Sequence, residues 1–189
     1  MKTQILRDKT RIFFEFAAKP FIYLRFSPNF ISLLSFFAVI LFCYFLSNNS
    51  FILASLMILI SGFLDTVDGP VARATGRATN FGKFFDRLID KINDSIITAS
   101  FIVLGFVDLR LGLYALITMM ISTNVSANIE AVLNAKISDA VSLRFLRFLA
   151  FIILIPFQKF TLMFIILSII STYSLVHRFF SAISLSRKG

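Results

Sequence analysis

Long apolar runs separated by short polar turns set the pattern of this chain. Residues 29–47 (NFISLLSFFAVILFCYFLS) carry no charge, and residues 51–64 (FILASLMILISGFL) stay uncharged up to Asp65. Further apolar runs occupy residues 95–107, 111–129, 148–158 and 160–176. Several fall short of the roughly 20 residues that cross a bilayer. Polar turns at their ends would extend each helix across. The pattern predicts an all-α fold, a six-helix transmembrane bundle. Only IPFQKF, residues 155–160, separates the last two runs, so Pro156 either divides two helices or kinks one long one. Ahead of the runs, residues 1–19 (MKTQILRDKTRIFFEFAAK) mix charge with apolar positions, and Ile5, Ile12, Phe13 and Phe16 share a helical face. That predicts an interfacial amphipathic helix on the cytoplasmic leaflet rather than a signal peptide; a basic arm without structure is the alternative. The chain thus divides into a juxtamembrane helix, 1–19, and a six-span domain, 20–189. Ser27 is placed to cap the first span, and Pro28 suits its first turn.

Composition agrees with lipid as the solvent. Hydrophobic residues make up 58% of the 189, and 25 are phenylalanine, more than a soluble core of this size would hold. Six spans put both termini on one side, and seventeen of the nineteen Lys and Arg residues fall there, leaving Arg110 and Lys159 opposite. The positive-inside rule makes that side cytoplasmic and the protein a multi-pass resident of the cell membrane. Anionic headgroups and phosphorylated substrates account for the net charge of +9 without a nucleic acid partner. Cys43 stands alone in a span, so it supports neither a disulfide nor a zinc site and is read as a packing residue.

Against this background residues 65–90, DTVDGPVARATGRATNFGKFFDRLID, stand out. Asp65 and Asp68 are three apart near the cytoplasmic end of the second span. Asp86 and Asp90 are four apart at the start of the third, so each pair projects from one helix face. Gly69, Gly76 and Gly82 allow tight turns and close backbone approach in the connection. Packed together, the two helices would aim four carboxylates at one point. Their repulsion calls for cations, and an all-oxygen set suits Mg²⁺, Mn²⁺ or Ca²⁺. Two divalent ions would cancel the four charges.

The stretch fits Asp-x2-Asp-Gly-x2-Ala-Arg-x8-Gly-x3-Asp-x3-Asp at Asp65, Asp68, Gly69, Ala72, Arg73, Gly82, Asp86 and Asp90. In this it resembles the CDP-alcohol phosphotransferase family, with no departure at the eight positions. The six spans, the amphipathic start and Pro28–Asn29 also agree. The resemblance implies a membrane enzyme, a homodimer, that moves a phosphatidyl-type group from a CDP-activated lipid to an alcohol and releases CMP. It implies that Asp65, Asp68 and Asp86 hold two Mg²⁺ or Mn²⁺ ions, and that Asp90 is the general base on or near the second. It places Gly69, Ala72, Arg73 and Gly82 around the cytidine diphosphate, with Asn29 approaching the nucleotide. An acidic pair in a membrane also marks ion or proton paths, but the glycines, Arg73 and the spacing favour phosphate chemistry over a transporter. The complete aspartate set likewise disfavours a catalytically dead scaffold.

The acceptor is less sharply drawn. A phosphorylated one needs basic residues; Lys136, Arg144 and Arg147 follow the fourth span, and Arg178 stands near the end. SLRFLRF, residues 142–148, resembles the paired arginines of members that use inositol phosphate or glycerol 3-phosphate. Ser126 and Asn128 stand where inositol phosphate users tend to carry Lys and Arg, although Glu130 matches their glutamate. Asn124 and Asn128, four apart, would serve a neutral alcohol such as inositol or serine, or simply join helices. Asp94 continues the register four residues beyond Asp90, facing the cleft or pairing with Lys91. Nothing in the sequence separates a diacyl from an archaeal ether donor.

Overall fold

The computed structural model describes residue 14 and residues 16–133 and 140–186. Among these residues all regular structure is helical. A short helical segment at residues 16–23 (α1) leads into α2 (Pro28–Ser47), α3 (Phe51–Ala74), α4 (Asn80–Val103), α5 (Leu109–Leu133), α6 (Ala140–Leu154) and α7 (Phe160–Ser186). Three of them, over Pro28–Ser47, Phe51–Ala74 and Phe160–Ser184, are long and apolar enough to cross a membrane. Large apolar side chains cover the outside as well, Phe37, Ile52, Ile117 and Ile169 among them. Water would not favour such a surface; hydrocarbon does.

The boundaries follow from local chemistry. Ser27, extended at ψ 146°, caps α2 by accepting from the Phe30 N–H, and Pro28 stands in the first turn. A three-residue turn, with Asn49 at φ 55°, returns the chain into α3. Thr79 caps α4, its hydroxyl accepting from the Gly82 N–H at 2.9 Å. Gly105, at φ 73°, closes α4, and the Asp108 carboxylate accepts from the N–H groups of Arg110 and Leu111 to start α5. Pro156 divides two helices rather than kinking one: α6 ends at Leu154, Gln158 turns at φ 55°, and α7 begins at Phe160.

Residues 1–13 and 15 of the anticipated amphipathic helix lie outside the described residues. The connection carrying the glycines is shorter than expected. Gly69 and Pro70 lie inside α3, and Gly82 lies in the first turn of α4. Only Gly76, at φ 66°, turns the chain. Packing against α2 along the length of α3 carries the helix through a Gly-Pro pair that would break an isolated one.

A phenylalanine cluster consolidates the end away from the acidic stretch. Phe101, fully buried, has the rings of Phe42, Phe106, Phe151, Phe160 and Phe164 with centroids 5.4–6.4 Å away. At the other end a smaller cluster of Ala18, Ile31, Leu64, Val67 and Val71 packs α1, α2 and α3 together. Hydroxyls tie α5 to α7: Ser122 Oγ donates to Ser174 Oγ at 2.8 Å, and Tyr114 and Thr172 share a bond of 2.8 Å. Arg178, 4% exposed, donates from Nη1 to the Ser122 carbonyl and hydroxyl.

Candidate active site

The acidic residues meet where the end of α3 lies beside the start of α4. α2 packs against both helices and holds the pair together. Oxygen atoms of Asp65, Asp86 and Asp90 lie within 4.8 Å of one another. Asp68, 6% exposed, sits deeper. The charges of Asp86 and Asp90 act on its carboxyl, while the Ser32 hydroxyl donates to its Oδ2 at 2.6 Å. The four aspartates expected to converge are therefore neighbours, three forming an open cluster and the fourth a buried flank. Carboxylates this close repel unless a proton or a cation stands between them. A hard, oxygen-only donor set of this kind fits a divalent cation.

The small residues lie beside the cluster. A Cβ on Gly82 would stand 3.2 Å from Thr79 Oγ1 and 3.4 Å from Asn29 Oδ1, so the Asn29 amide rests directly against Gly82. One on Gly69 would stand 3.4 Å from Arg73 Nη1: the guanidinium folds back over the glycine from one turn further along α3. Ala72 is half-buried and Arg73 exposed. Helical spacing puts Gly69 and Ala72 one turn beyond Asp65 and Asp68, and Gly82 one turn before Asp86. Only small side chains there leave the backbone within reach of a phosphate, and a guanidinium is suited to bind one in fork geometry.

Next along α4, Lys91 Nζ donates to Asn124 Oδ1 of α5 at 2.8 Å. Asp94 joins Lys91 and Asn124 around a small crevice between these helices. Arg147 lies on α6 and is buried, 8% exposed. Lys136 and the side chains of Ser126, Glu130 and Arg144 lie outside the described residues. Sequence reasoning missed Ser32 on Asp68 and the buried Asn93 behind it, since a serine within an apolar span reads as a small packer.

An all-helical membrane bundle with a carboxylate cluster between two neighbouring helices at one end is the class of protein these features define. The CDP-alcohol phosphatidyltransferase family matches residues 25–185, and the chain belongs to it. Over 92 residues the chain is 34% identical to archaetidylinositol phosphate synthase of Pyrococcus horikoshii, covering 49% of each protein. Over 85 residues it is 36% identical to the protein of the same name from Methanothermobacter thermautotrophicus, covering 45% of this chain and 44% of that one. The match therefore spans about half the length of these curated relatives. In fold the chain is similar to phosphatidylinositol phosphate synthase (PgsA1) of Mycobacterium tuberculosis. The apo crystal structure gives a TM-score of 0.73 at 18% identity, covering 86% of this chain and 92% of that one. The structure with CDP-DAG bound gives 0.70 at 16% identity, covering 89% and 92%.

Proposed function

We propose that this chain transfers a phosphatidyl-type group from a CDP-activated lipid to a phosphorylated alcohol, with release of CMP, in phospholipid synthesis. The observation that carries the proposal is the carboxylate cluster of Asp65, Asp86 and Asp90 within 4.8 Å, flanked by Asp68 and framed by Gly69, Arg73 and Gly82. Two divalent ions, Mg²⁺ or Mn²⁺, held by Asp65, Asp68, Asp86 and Asp90, would neutralise the diphosphate and stabilise the charge developing on transfer. Gly69, Ala72, Gly82 and Asn29 admit the cytidine diphosphate, and Arg73 binds its phosphate oxygens. Asp90 takes the proton from the acceptor hydroxyl. The freed oxygen attacks the lipid-bearing phosphorus, the diphosphate bond breaks, and CMP departs with the bonding electrons.

Inositol phosphate is the acceptor we favour, with glycerol 3-phosphate next, on the strength of the archaetidylinositol phosphate synthase relatives. Lys136, Arg144 and Arg147 are the proposed acceptor-phosphate residues. Burial of Arg147 supports a role inside the bundle over one as an exposed headgroup anchor. A neutral alcohol at Asn124 has less support, because that amide oxygen already accepts from Lys91. All six long helices, α2–α7, cross the membrane in this reading. The acidic site and both termini are cytoplasmic, residues 1–19 lie on the same face, and the working unit is a homodimer. The test is incubation of purified protein with CDP-diacylglycerol or CDP-archaeol and each acceptor in turn, followed by mass spectrometry of the lipid product. A phosphorylated headgroup lipid is expected; product with inositol or serine alone would overturn the acceptor assignment.

A further inference from the structure

Behind the acidic cluster a string of buried polar groups joins three helices. Ser32, 3% exposed on α2, donates from Oγ to Asp68 Oδ2 at 2.6 Å across 36 residues of sequence. The Ser32 carbonyl accepts from Ser35 Oγ at 2.7 Å. Ser35 Oγ in turn accepts from Asn93 Nδ2 at 3.2 Å. Asn93 is 6% exposed and lies three residues beyond Asp90, on the same side of α4. The direction of the string is fixed. The Ser35 proton is committed to the Ser32 carbonyl, so the Asn93 amide meets Ser35 as a donor. Its Oδ1 is then left buried without a hydrogen-bond partner among the described residues. A buried amide with an unpaired oxygen destabilises a fold. The Asn93 N–H₂ group thus reaches from α4 to Ser35 of α2.

We propose that Ser32 is a positioning residue for the acidic site, and that Ser35 and Asn93 extend its hold to α4. The Ser32 hydroxyl fixes one oxygen of Asp68 and so sets the rotation of the carboxylate. The Asn93–Ser35 bond ties α4 to the same turn of α2. The spacing between the pair on α3 and the pair on α4 is thereby referenced to a single turn, Ser32–Ser35. Partners behind a metal-binding carboxylate commonly change cation affinity by about 10–100-fold when removed. This inference rests on the reading that the carboxylates hold divalent cations.

The test is Mn²⁺ titration of purified protein, read by the electron paramagnetic resonance of free Mn²⁺, beside melting curves without metal. Ser32→Ala is expected to weaken Mn²⁺ binding about 10-fold or more, Ser32→Thr to restore most of it, and Asn93→Ala to weaken it by a smaller factor. A purely structural serine would lower the melting temperature and leave Mn²⁺ affinity unchanged, and that result would overturn the inference. Should Ser32→Ala not survive purification, unchanged affinity in Asn93→Ala overturns it equally. Wild-type protein that binds no Mn²⁺ would remove the cation reading itself, and this inference with it.

Discussion

Gly62 lies on α3 three residues before Asp65, and its missing side chain leaves a seat for Phe148 of α6. A Cβ at this position would fall 2.0, 2.4 and 2.9 Å from Cζ, Cε2 and Cε1 of that ring. Ordinary contact begins at about 3.4 Å, so Gly62→Ala forces the ring back by about 1.4 Å. The ring has little room to retreat. It packs against the main apolar cluster, and α6 is pinned to α3 further along, where Ser55 Oγ donates to the Ile152 carbonyl at 2.8 Å. Overpacking of this kind costs about 1–3 kcal/mol. Removing a mid-helix glycine returns about 0.5–1 kcal/mol, which leaves a net loss of up to about 2.5 kcal/mol. For a chain of this length that lowers the melting temperature by up to about 10 °C. The assay is thermal unfolding of detergent-purified protein followed by circular dichroism at 222 nm. Phe148→Leu in the same background should recover most of the loss, because the shorter side chain vacates the seat. At an open helical position Gly→Ala stabilises, so the sign decides. A Gly62→Ala protein that melts above the parent temperature would refute the seating of Phe148 on Gly62.

Other expectations concern the chemistry. Asp90→Asn preserves shape but removes the base, so CMP release should fall by about 10²-fold or more while the CDP-lipid still binds; near-normal turnover would exclude Asp90 from that role. Arg147→Ala should raise the acceptor KM by roughly 10-fold to over 100-fold, the equivalent of about 1.5–3 kcal/mol for a charge-assisted bond, and leave the CDP-lipid KM nearly unchanged. Equal effects on both substrates in well-folded protein would return Arg147 to a structural role. Arg73→Ala should weaken the CDP-lipid more than the acceptor, the reverse of Arg147→Ala, and steady-state kinetics on the two variants side by side checks the division.

Much of the site was legible because its periodicity is local. Spacings of three and four residues place each acidic pair on one face of one helix, and short turns between apolar runs make neighbouring helices antiparallel. Ser27 and Pro28 likewise start α2 for reasons contained within a few residues. What stayed hidden depends on distant parts of the chain. Asp-Gly-Pro at residues 68–70 reads as a turn, yet packing with α2 carries α3 through it. The Ser32–Asp68 bond spans 36 residues and the Lys91–Asn124 bond spans 33; no local pattern announces either. Arg178 counts as a tail cation in a sequence, but in the fold it is buried against α5. Gly62 carried no signal, since a glycine in an apolar span gives no sign of which ring rests on it.

The most direct test of the account is acceptor-dependent CMP release by the purified full chain in lipid nanodiscs. CDP-lipid and inositol phosphate would be supplied, with Mg²⁺ or Mn²⁺ present or removed by chelator, and with Asp90→Asn run in parallel. CMP release is expected to require the lipid, the acceptor and the metal together, and nearly to vanish in the variant. CMP release undiminished in verified metal-free protein, or none from the wild type with any phosphorylated or neutral acceptor, would contradict that expectation.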